Sequence, residues 1–145
     1  MKKPTNLDRI QNIVKNLSRL ERRQKHFMKE ALVSGELQGN MYKYIITIKK
    51  HPGTSQDFLA DFHSVDKSRV ARVVRELEKM GYLSRSANEA DRRSYRLFLT
   101  ADGERIYDKI QQALMEWGTK IAKNIPAMNI SVTADTMEKM IVNAD

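Results

Sequence analysis

The sequence has no cysteine and no long hydrophobic run. Without cysteine, the chain can form no disulfide framework, no thiolate metal cage and no thiol-based redox switch. No apolar stretch approaches the roughly 18 residues that a membrane-spanning helix needs. The lysines near the N-terminus are not followed by the apolar segment of a secretory signal. These absences predict a soluble, cytoplasmic protein.

Positive charge, by contrast, is in excess. The 145 residues include 26 Lys and Arg against 18 Asp and Glu, which gives a formal net charge of +8. This balance favours polyanionic partners, and the charge alone fits both nucleic acid and a membrane surface. Hydrophobic residues make up 41% of the chain and charged residues 30%, which is typical of one globular domain with its own core.

Helical periodicity dominates the N-terminal part. From 7 to about 32, apolar residues recur mostly at three- and four-residue steps, which predicts an amphipathic helix. At about 25 residues, this helix exceeds the usual length in a globular domain, so we expect it to pack against a partner subunit. Gly35 and Gly39 interrupt the pattern. A second, shorter helix is predicted to start at Met41 and to end before His51.

The middle of the chain carries the signals of two helices joined by a short turn. Thr54 and Ser55 can start the first helix, because a hydroxyl oxygen accepts hydrogen bonds from the free amides of a first turn. Asp66 is the predicted N-cap of a second helix over 67–80. Gly81 closes that helix, since glycine readily adopts left-handed backbone. The pair predicts a helix-turn-helix.

A hairpin follows directly. Strands are predicted over 82–85 and 95–99, with the polar segment 88–93 between them. Thr100 then opens a long helix that Pro126 ends. A last short helix carries Met137, Met140 and Ile141. This order predicts a mainly α fold with a small β-hairpin wing, which is a winged helix-turn-helix.

On a helical wheel, 67–80 separates apolar from basic side chains. One side carries Val70, Val73, Val74 and Leu77, and the other carries Ser68, Arg72, Arg75 and Lys79. Basic solvated faces are common, but the second helix of a helix-turn-helix enters the major groove with its N-terminal part foremost. Base contacts are therefore predicted early in the helix, at Ser68, Arg69 and Arg72, and phosphate contacts later, at Arg75 and Lys79.

Four short motifs together resemble a known family. They are Asp66–Arg72, Leu77–Leu83, Asp91–Arg93 and Leu99–Gly103. In combination they resemble the signature of the MarR (multiple antibiotic resistance regulator) family. The resemblance is densest from about Leu59 to Ile106, while the flanks match by helix pattern only. Ser64 departs from the pattern, because the family often has glycine there, and serine reaches positive φ less easily.

The resemblance implies a homodimeric winged-helix repressor or activator of transcription. It further implies a single MarR-type domain over 1–145. In that domain the terminal helices, about 1–34 and 104–145, interlock to form the dimer, and about 40–100 form the DNA-binding lobe. The residues favour the same arrangement, since apolar stripes on long helices need to be covered.

The candidate DNA contacts lie on the helix and on the wing. Those on the helix are Lys67, Ser68, Arg69, Arg72, Arg75 and Lys79. In the wing, Arg92 or Arg93 is expected to reach the minor groove or its phosphates, because the negative potential there attracts arginine. Asp91 is expected to pair with Arg93 and so hold the loop in one shape. The alternative is that Asp91 and Arg93 only stiffen the hairpin.

The resemblance also implies an effector pocket between the dimer helices and the DNA-binding lobe. A small aromatic or anionic effector would bind there, near His26, Met41, Tyr44 and Ile45. For these residues, packing in the protein core is the alternative.

Catalysis and metal binding have little support in the sequence. The three histidines, His26, His51 and His63, show no recognisable metal-ligand spacing. No nucleophile motif and no glycine-rich phosphate loop is present. We expect no metal, no cofactor and no enzymatic activity.

These interpretations predict a sequence-specific double-stranded DNA-binding regulator that acts as a homodimer on a pseudo-palindromic operator. It is expected to be a repressor that a small-molecule effector releases. The alternative is a winged-helix module for protein contacts that binds DNA only non-specifically. A membrane-surface protein fits the net charge but not its distribution, because the basic residues cluster on the turn-helix and the wing as well as on the N-terminal helix, instead of along one apolar helix.

Overall fold

A computed structural model describes residues 3–32 and 37–145. This part of the chain contains six helices and one antiparallel pair of strands. They are α1 (Asn6–Ala31), α2 (Met41–Lys50), α3 (Gln56–His63), α4 (Lys67–Lys79), β1 (Leu83–Ala87), β2 (Tyr95–Leu99), α5 (Ala101–Ala122) and α6 (Ala127–Ala144). The order confirms the predicted mainly helical fold with a hairpin wing. The predicted break at Gly35 lies outside the described residues.

The chain divides into two compact units, Met1–Ala113 and Leu114–Asp145. The first unit holds the winged helix-turn-helix together with α1 and the first half of α5. The second unit holds the end of α5 and the whole of α6. The two units differ in how much of their apolar surface is buried.

The core of the first unit is built from one face of each helix in the lobe and from the middle of β2. Its fully buried side chains are Met28, Ile45, Ile48, Leu59, Val70, Val74, Leu77, Leu97 and Ile110. In α4, the buried positions recur at three- and four-residue steps, as the predicted apolar face requires. Burial of these side chains, at about 1.5–3 kcal/mol each, fixes the orientation of the opposite, basic side.

The first helix begins with a capping box. The Thr5 hydroxyl oxygen accepts a hydrogen bond from the Asp8 amide at 3.2 Å, and the Asp8 carboxylate accepts one from the Thr5 amide at 2.8 Å. In α1, Met28 is buried, near the C-terminal end. The apolar residues nearer the N-terminus are exposed; they include Leu7, Ile10, Ile13, Val14, Leu17 and Leu20.

The helix-turn-helix is defined by local caps. The Ser55 hydroxyl accepts from the Phe58 amide at 3.1 Å, and the Asp66 carboxylate accepts from the Arg69 amide at 2.8 Å. Between the helices, Ser64 adopts left-handed backbone with φ of 52°. Gly81, just past the end of α4, has φ of 78°. The predicted caps at Ser55, Asp66 and Gly81 are confirmed, and serine takes up the conformation that glycine would reach more easily.

The hairpin pairs β1 with β2 in a register that sets Leu83 opposite Leu99 and Ala87 opposite Tyr95. The predicted start of β1 at Tyr82 is wrong by one residue, because the Tyr82 amide still bonds to the Leu77 carbonyl at the end of α4. Thr54 forms an isolated antiparallel bridge to Leu97, in the middle of β2. The wing is therefore tied to the turn before α3, a contact that the sequence did not predict.

Two predictions at the C-terminal end are wrong. Helix α5 ends at Ala122 and not at Pro126, because Asn124 turns into left-handed backbone with φ of 62°. Pro126 instead precedes α6, where its fixed φ suits a helix start. The last helix is also not short, since α6 spans 18 residues.

Candidate nucleic-acid interface

The basic side of α4 is open to solvent. Ser68, Arg69, Arg72, Arg75 and Lys79 are all exposed. On the other side of the same helix, Val70, Val74 and Leu77 have 0% exposure. The packing of α4 therefore presents the predicted set of donors together on one surface.

At the N-terminal end of α4, two of the candidate side chains are bound within the protein. The Lys67 ammonium pairs with the Asp57 carboxylate of α3 at 2.9 Å, and the resulting hydrogen bond raises the pKa of Lys67. The Ser68 hydroxyl donates to the Asp66 carboxylate. This bond, with that from the Arg69 amide, lowers the pKa of Asp66. Any partner of this end of α4 would have to compete with these contacts.

Further along α4, the arginine and lysine side chains are less engaged. Within the described residues, Arg72 has no ion-pair partner. The Arg75 Nε donates to the Ala71 carbonyl of its own helix at 3.3 Å. The Lys79 ammonium lies 3.7 Å from the Glu76 carboxylate. Of these side chains, Arg72 is the one most available to a polyanion.

The wing tip is held by Asp91 through the main chain. The Asp91 Oδ1 atom accepts from the Arg93 amide at 3.0 Å, and the Asp91 carbonyl accepts from the Ser94 amide at 3.1 Å. In the described part of the chain, no ion pair joins Asp91 to the Arg93 guanidinium. The predicted pairing of the Asp91 and Arg93 side chains is therefore wrong, because the Asp91 carboxylate binds the Arg93 backbone amide instead. Both Arg92 and Arg93 are therefore exposed at the tip.

Between α4 and the middle of β1, the structure shows a contact that the sequence did not predict. The Arg85 guanidinium of β1 meets the Glu78 carboxylate of α4 at 2.7 and 2.6 Å, through two separate nitrogens. The Arg85 Cζ atom also lies over the Tyr95 ring of β2, 5.4 Å from the ring centroid. In the sequence, the opposite charges of Glu78 and Arg85 on either side of Gly81 were the signal that could have indicated this pair.

A second missed residue is Arg96, on β2. Its guanidinium lies 5.5 Å from the centroid of the Phe98 ring. It also crosses Gly53, where an added Cβ would come within 2.6 Å of it. Gly53 has φ of 80°, so the backbone at this position favours glycine, while an added Cβ would also displace the end of the Arg96 side chain.

The four residues predicted for an effector pocket fall into two environments. Met41, Tyr44 and Ile45 are buried in the lobe, in agreement with core packing as the alternative. His26 is exposed and pairs with Glu30 at 3.2 Å. It borders a cleft of about 870 Å³ whose other lining residues are Arg22, Lys25, Lys29, Glu30, Leu37, Gln38 and Gly39. The effector role of all four residues stays a prediction.

Tyr44 lies beside His63 at the end of α3, with ring centroids 4.5 Å apart. The His63 Nε2 atom is 3.0 Å from the Thr47 hydroxyl, which already donates its proton to the Lys43 carbonyl. A hydroxyl has one proton, so neutral His63 must be the donor to Thr47. Burial, and then the charge of Lys43, lower the pKa of His63.

In residues 3–32 and 37–145, no cluster of three or more His, Cys, Asp or Glu side chains could hold a metal ion. None of the helices in the same residues is both long and apolar enough to cross a membrane.

Comparison with known proteins gives consistent results. The model of the MarR family matches residues 39–95. The HTH-type transcriptional regulator BilQ of Clostridium symbiosum is 31% identical over 99 residues, covering 68% of this chain and 69% of that protein. The crystal structure of a MarR transcriptional regulator from Methanosarcina mazei Go1 superimposes with a TM-score of 0.87 at 25% identity, covering 92% of this chain and 96% of that one.

A third match is a mutant MarR from E. coli complexed with operator DNA. It has a TM-score of 0.78 over 94% of this chain and 99% of that one, and at 18% identity it indicates the fold alone. Among the curated relatives, the matched segment covers from 45% to 70% of the relative's own length. The named relatives are transcriptional regulators. With the winged helix-turn-helix and its exposed basic helix, these matches establish that the chain belongs to the MarR family of transcriptional regulators.

Proposed function

We propose that this protein is a homodimeric, sequence-specific DNA-binding repressor of transcription. The observation that carries the proposal is the basic side of α4, whose exposed donors lie opposite a fully buried valine and leucine face. A helix held in this way after a tight turn has the form that enters the major groove. The fold shared with the operator-bound E. coli MarR mutant supports the same interpretation.

In the proposed complex, α4 is the recognition helix. Ser68, Arg69 and Arg72 contact base edges, and arginine can give two hydrogen bonds to guanine. Lys67, Arg75 and Lys79 bind phosphates or sugars. The wing reaches the adjacent minor groove through Arg92 and Arg93, where negative potential favours arginine.

The dimer is supported by apolar side chains that the chain leaves exposed. In α1 they begin at Leu7, which is 63% exposed, and in α6 they include Val142, which is 73% exposed. In our proposal the helices of about 1–34 and 104–145 form the dimer, and about 40–100 form the DNA-binding lobe. A two-fold dimer binds half-sites about one turn apart, roughly 10 base pairs, on a pseudo-palindromic operator.

Repression would follow from occlusion of a promoter. A small aromatic or anionic effector would release the protein by favouring a spacing of the two recognition helices that does not fit the operator. The basic cleft beside His26 suits an anionic ligand, because three of its lining residues are Arg22, Lys25 and Lys29.

The proposal is tested by selecting binding sites from a random-sequence duplex library at two salt concentrations, with the mass of the protein measured in solution. We expect enrichment of a short inverted repeat, an affinity that falls steeply with salt, and the mass of a dimer. Weak binding without enrichment would contradict the proposal and favour a winged-helix module for protein contacts.

Substitution of Arg72 tests the role of α4 directly. Arg72→Ala should weaken binding to the enriched duplex by about 1–3 kcal/mol and relax the preference at one base position of each half-site. Titration by fluorescence anisotropy measures the loss. The matched control is Arg105→Ala, which removes an exposed arginine that pairs with Asp102 on α5. An equal loss in both variants would contradict a specific role of Arg72.

A further inference from the structure

The contact between Glu78, Arg85 and Tyr95 joins three elements of the DNA-binding lobe, and we call it the wing clamp. Glu78 lies in the last turn of α4, Arg85 in β1 and Tyr95 in β2. The Arg85 and Glu78 side chains are only 26% and 28% exposed. Two parallel nitrogen-to-oxygen contacts of 2.7 and 2.6 Å give the pair a fixed orientation, since the planar guanidinium matches a carboxylate in one plane.

The position of Arg85 on β1 explains why it reaches the helix. Side chains alternate along a strand, so Leu83 and Arg85 share the face turned toward α4. Leu83 is buried at the base of the wing, and Arg85 continues the contact one step toward the tip. Tyr95 lies diagonally across the hairpin from Arg85. It follows Arg92 and Arg93 closely in sequence.

A two-stranded hairpin is marginally stable by itself. Its orientation relative to α4 therefore depends on contacts at its base. Close to the helix these are main-chain bonds, from the Tyr82 amide to the Leu77 carbonyl at 3.0 Å and from the Thr100 amide to the Tyr82 carbonyl at 3.0 Å. The wing clamp adds a side-chain contact halfway along β1, at the level where the backbone bridge from Thr54 holds Leu97 of β2. A contact at this distance from the base restrains the angle of the hairpin more strongly than one at the base.

We infer that Glu78 and Arg85 are positioning residues that set the angle between the recognition helix and the wing. The inference rests on the proposed function. With the clamp formed, α4 and the wing tip contact adjacent grooves of one duplex simultaneously. With the clamp broken, the wing samples other angles, and its arginines contribute less to binding.

The first test asks whether Glu78→Gln raises or lowers the affinity for duplex DNA. Glu78→Gln removes a negative charge from a DNA-binding surface, so electrostatics alone would make binding tighter. Loss of the clamp would instead weaken binding, by roughly tenfold, as for other coupled contacts. The matched control is Glu76→Gln, the same change two residues earlier, and we expect it to leave affinity equal or higher. The ligand is the duplex that the wild-type protein enriches from a random library.

The second test is a double-mutant cycle with the wing tip. If Glu78 acts through the wing, Glu78→Gln should cost little in a protein that already carries Arg92→Ala and Arg93→Ala. A merely structural defect would weaken binding in both backgrounds. Arg85→Lys keeps the charge but cannot form the two-nitrogen contact, and it should show the same loss and the same cycle. If Glu78→Gln does not fold, Arg85→Lys tests the inference in its place.

The two proposals fail in different ways. A wild-type protein without measurable affinity for duplex DNA would overturn the proposed function and this inference together. A wild-type protein that binds its enriched duplex, while Glu78→Gln and Arg85→Lys bind equally well or tighter, would overturn the inference alone. Additive losses in the cycle would also overturn it.

Discussion

Helices α2 and α6 both carry isoleucine and methionine, but they differ completely in burial. In α2, six of ten residues are buried, whereas none of the 18 residues of α6 is buried. Ile45 and Ile48 in α2 have 0% exposure, while Ile141 in α6 has 61%. An apolar pattern therefore predicts a helix, but it does not say whether the same chain covers that helix. The lobe has its own core, whereas the apolar side chains of α6 are exposed to solvent.

The largest effect on stability is expected in the buried core of the lobe. Leu77→Ala removes a leucine with 0% exposure and should lower the free energy of unfolding by about 2–5 kcal/mol. Leu7→Ala makes the same change at a leucine that is 63% exposed, and it should cost far less. Urea denaturation of both variants measures the difference. Equal costs would contradict the contrast between the two regions.

The second effect concerns the uncovered helix α6 and the proposed dimer. Ile130→Asp places a charge on the apolar surface of α6 and should weaken the dimer by about 2 kcal/mol or more, as at a central interface residue. Ser131→Asp introduces the same charge one residue further along and should have a smaller effect. Sedimentation over a range of protein concentrations measures both. An unchanged dimer in Ile130→Asp would show that α6 is not covered by a second copy.

A smaller effect on stability is expected at Ser64 and Asn124, the non-glycine residues with left-handed backbone in the first and second unit. Ser64 has φ of 52° and Asn124 has φ of 62°. Ser64→Gly should raise the free energy of unfolding by about 1 kcal/mol, because glycine adopts this conformation without steric cost. Asn124→Gly should gain less, since asparagine tolerates it better than serine. Thermal unfolding compares the two variants, and a loss of stability in Ser64→Gly would contradict the argument.

The smallest effect is a pH dependence of the lobe. Burial lowers the pKa of His63, so between this lowered value and the ordinary pKa, about 6.5, the unfolded state binds more protons. Stability should therefore be retained above about pH 6.5 and should fall as the pH drops through this window. His63→Gln keeps a donor for Thr47 but does not titrate. Urea midpoints of both proteins from pH 5 to 8 should diverge on the acid side, and parallel curves would contradict the assignment.

Local signals account for the parts of the fold that the sequence predicted well. The caps at Ser55, Asp66 and Gly81 depend on contacts within three or four residues, so residue type alone is informative there. The basic side of α4 follows from helical periodicity. The end of α5 was misplaced because Pro126 is a strong helix-breaking signal, whereas the left-handed turn at Asn124 ends the helix earlier.

Contacts between distant parts of the chain were not predictable in the same way. The pairing of Glu78 with Arg85 requires the orientation of β1 against α4, and the bridge from Thr54 to Leu97 requires the wing to return to the turn before α3. At the wing tip, the sequence indicated the role of Asp91 but not that its partner is a backbone amide. Side-chain geometry of this kind depends on packing, which periodicity does not encode.

The sequence by itself determined the order of the helices, the caps at Ser55, Asp66 and Gly81, the hairpin and the basic surface of α4, because hydrogen bonding and periodicity act over a few residues. It also carried the motifs that indicated the MarR family. The tertiary structure alone decided that Met41, Tyr44 and Ile45 lie in the core, that α6 is left uncovered and that Arg85 joins the wing to α4. Burial and ion pairing at these positions depend on which surfaces meet when distant segments pack together.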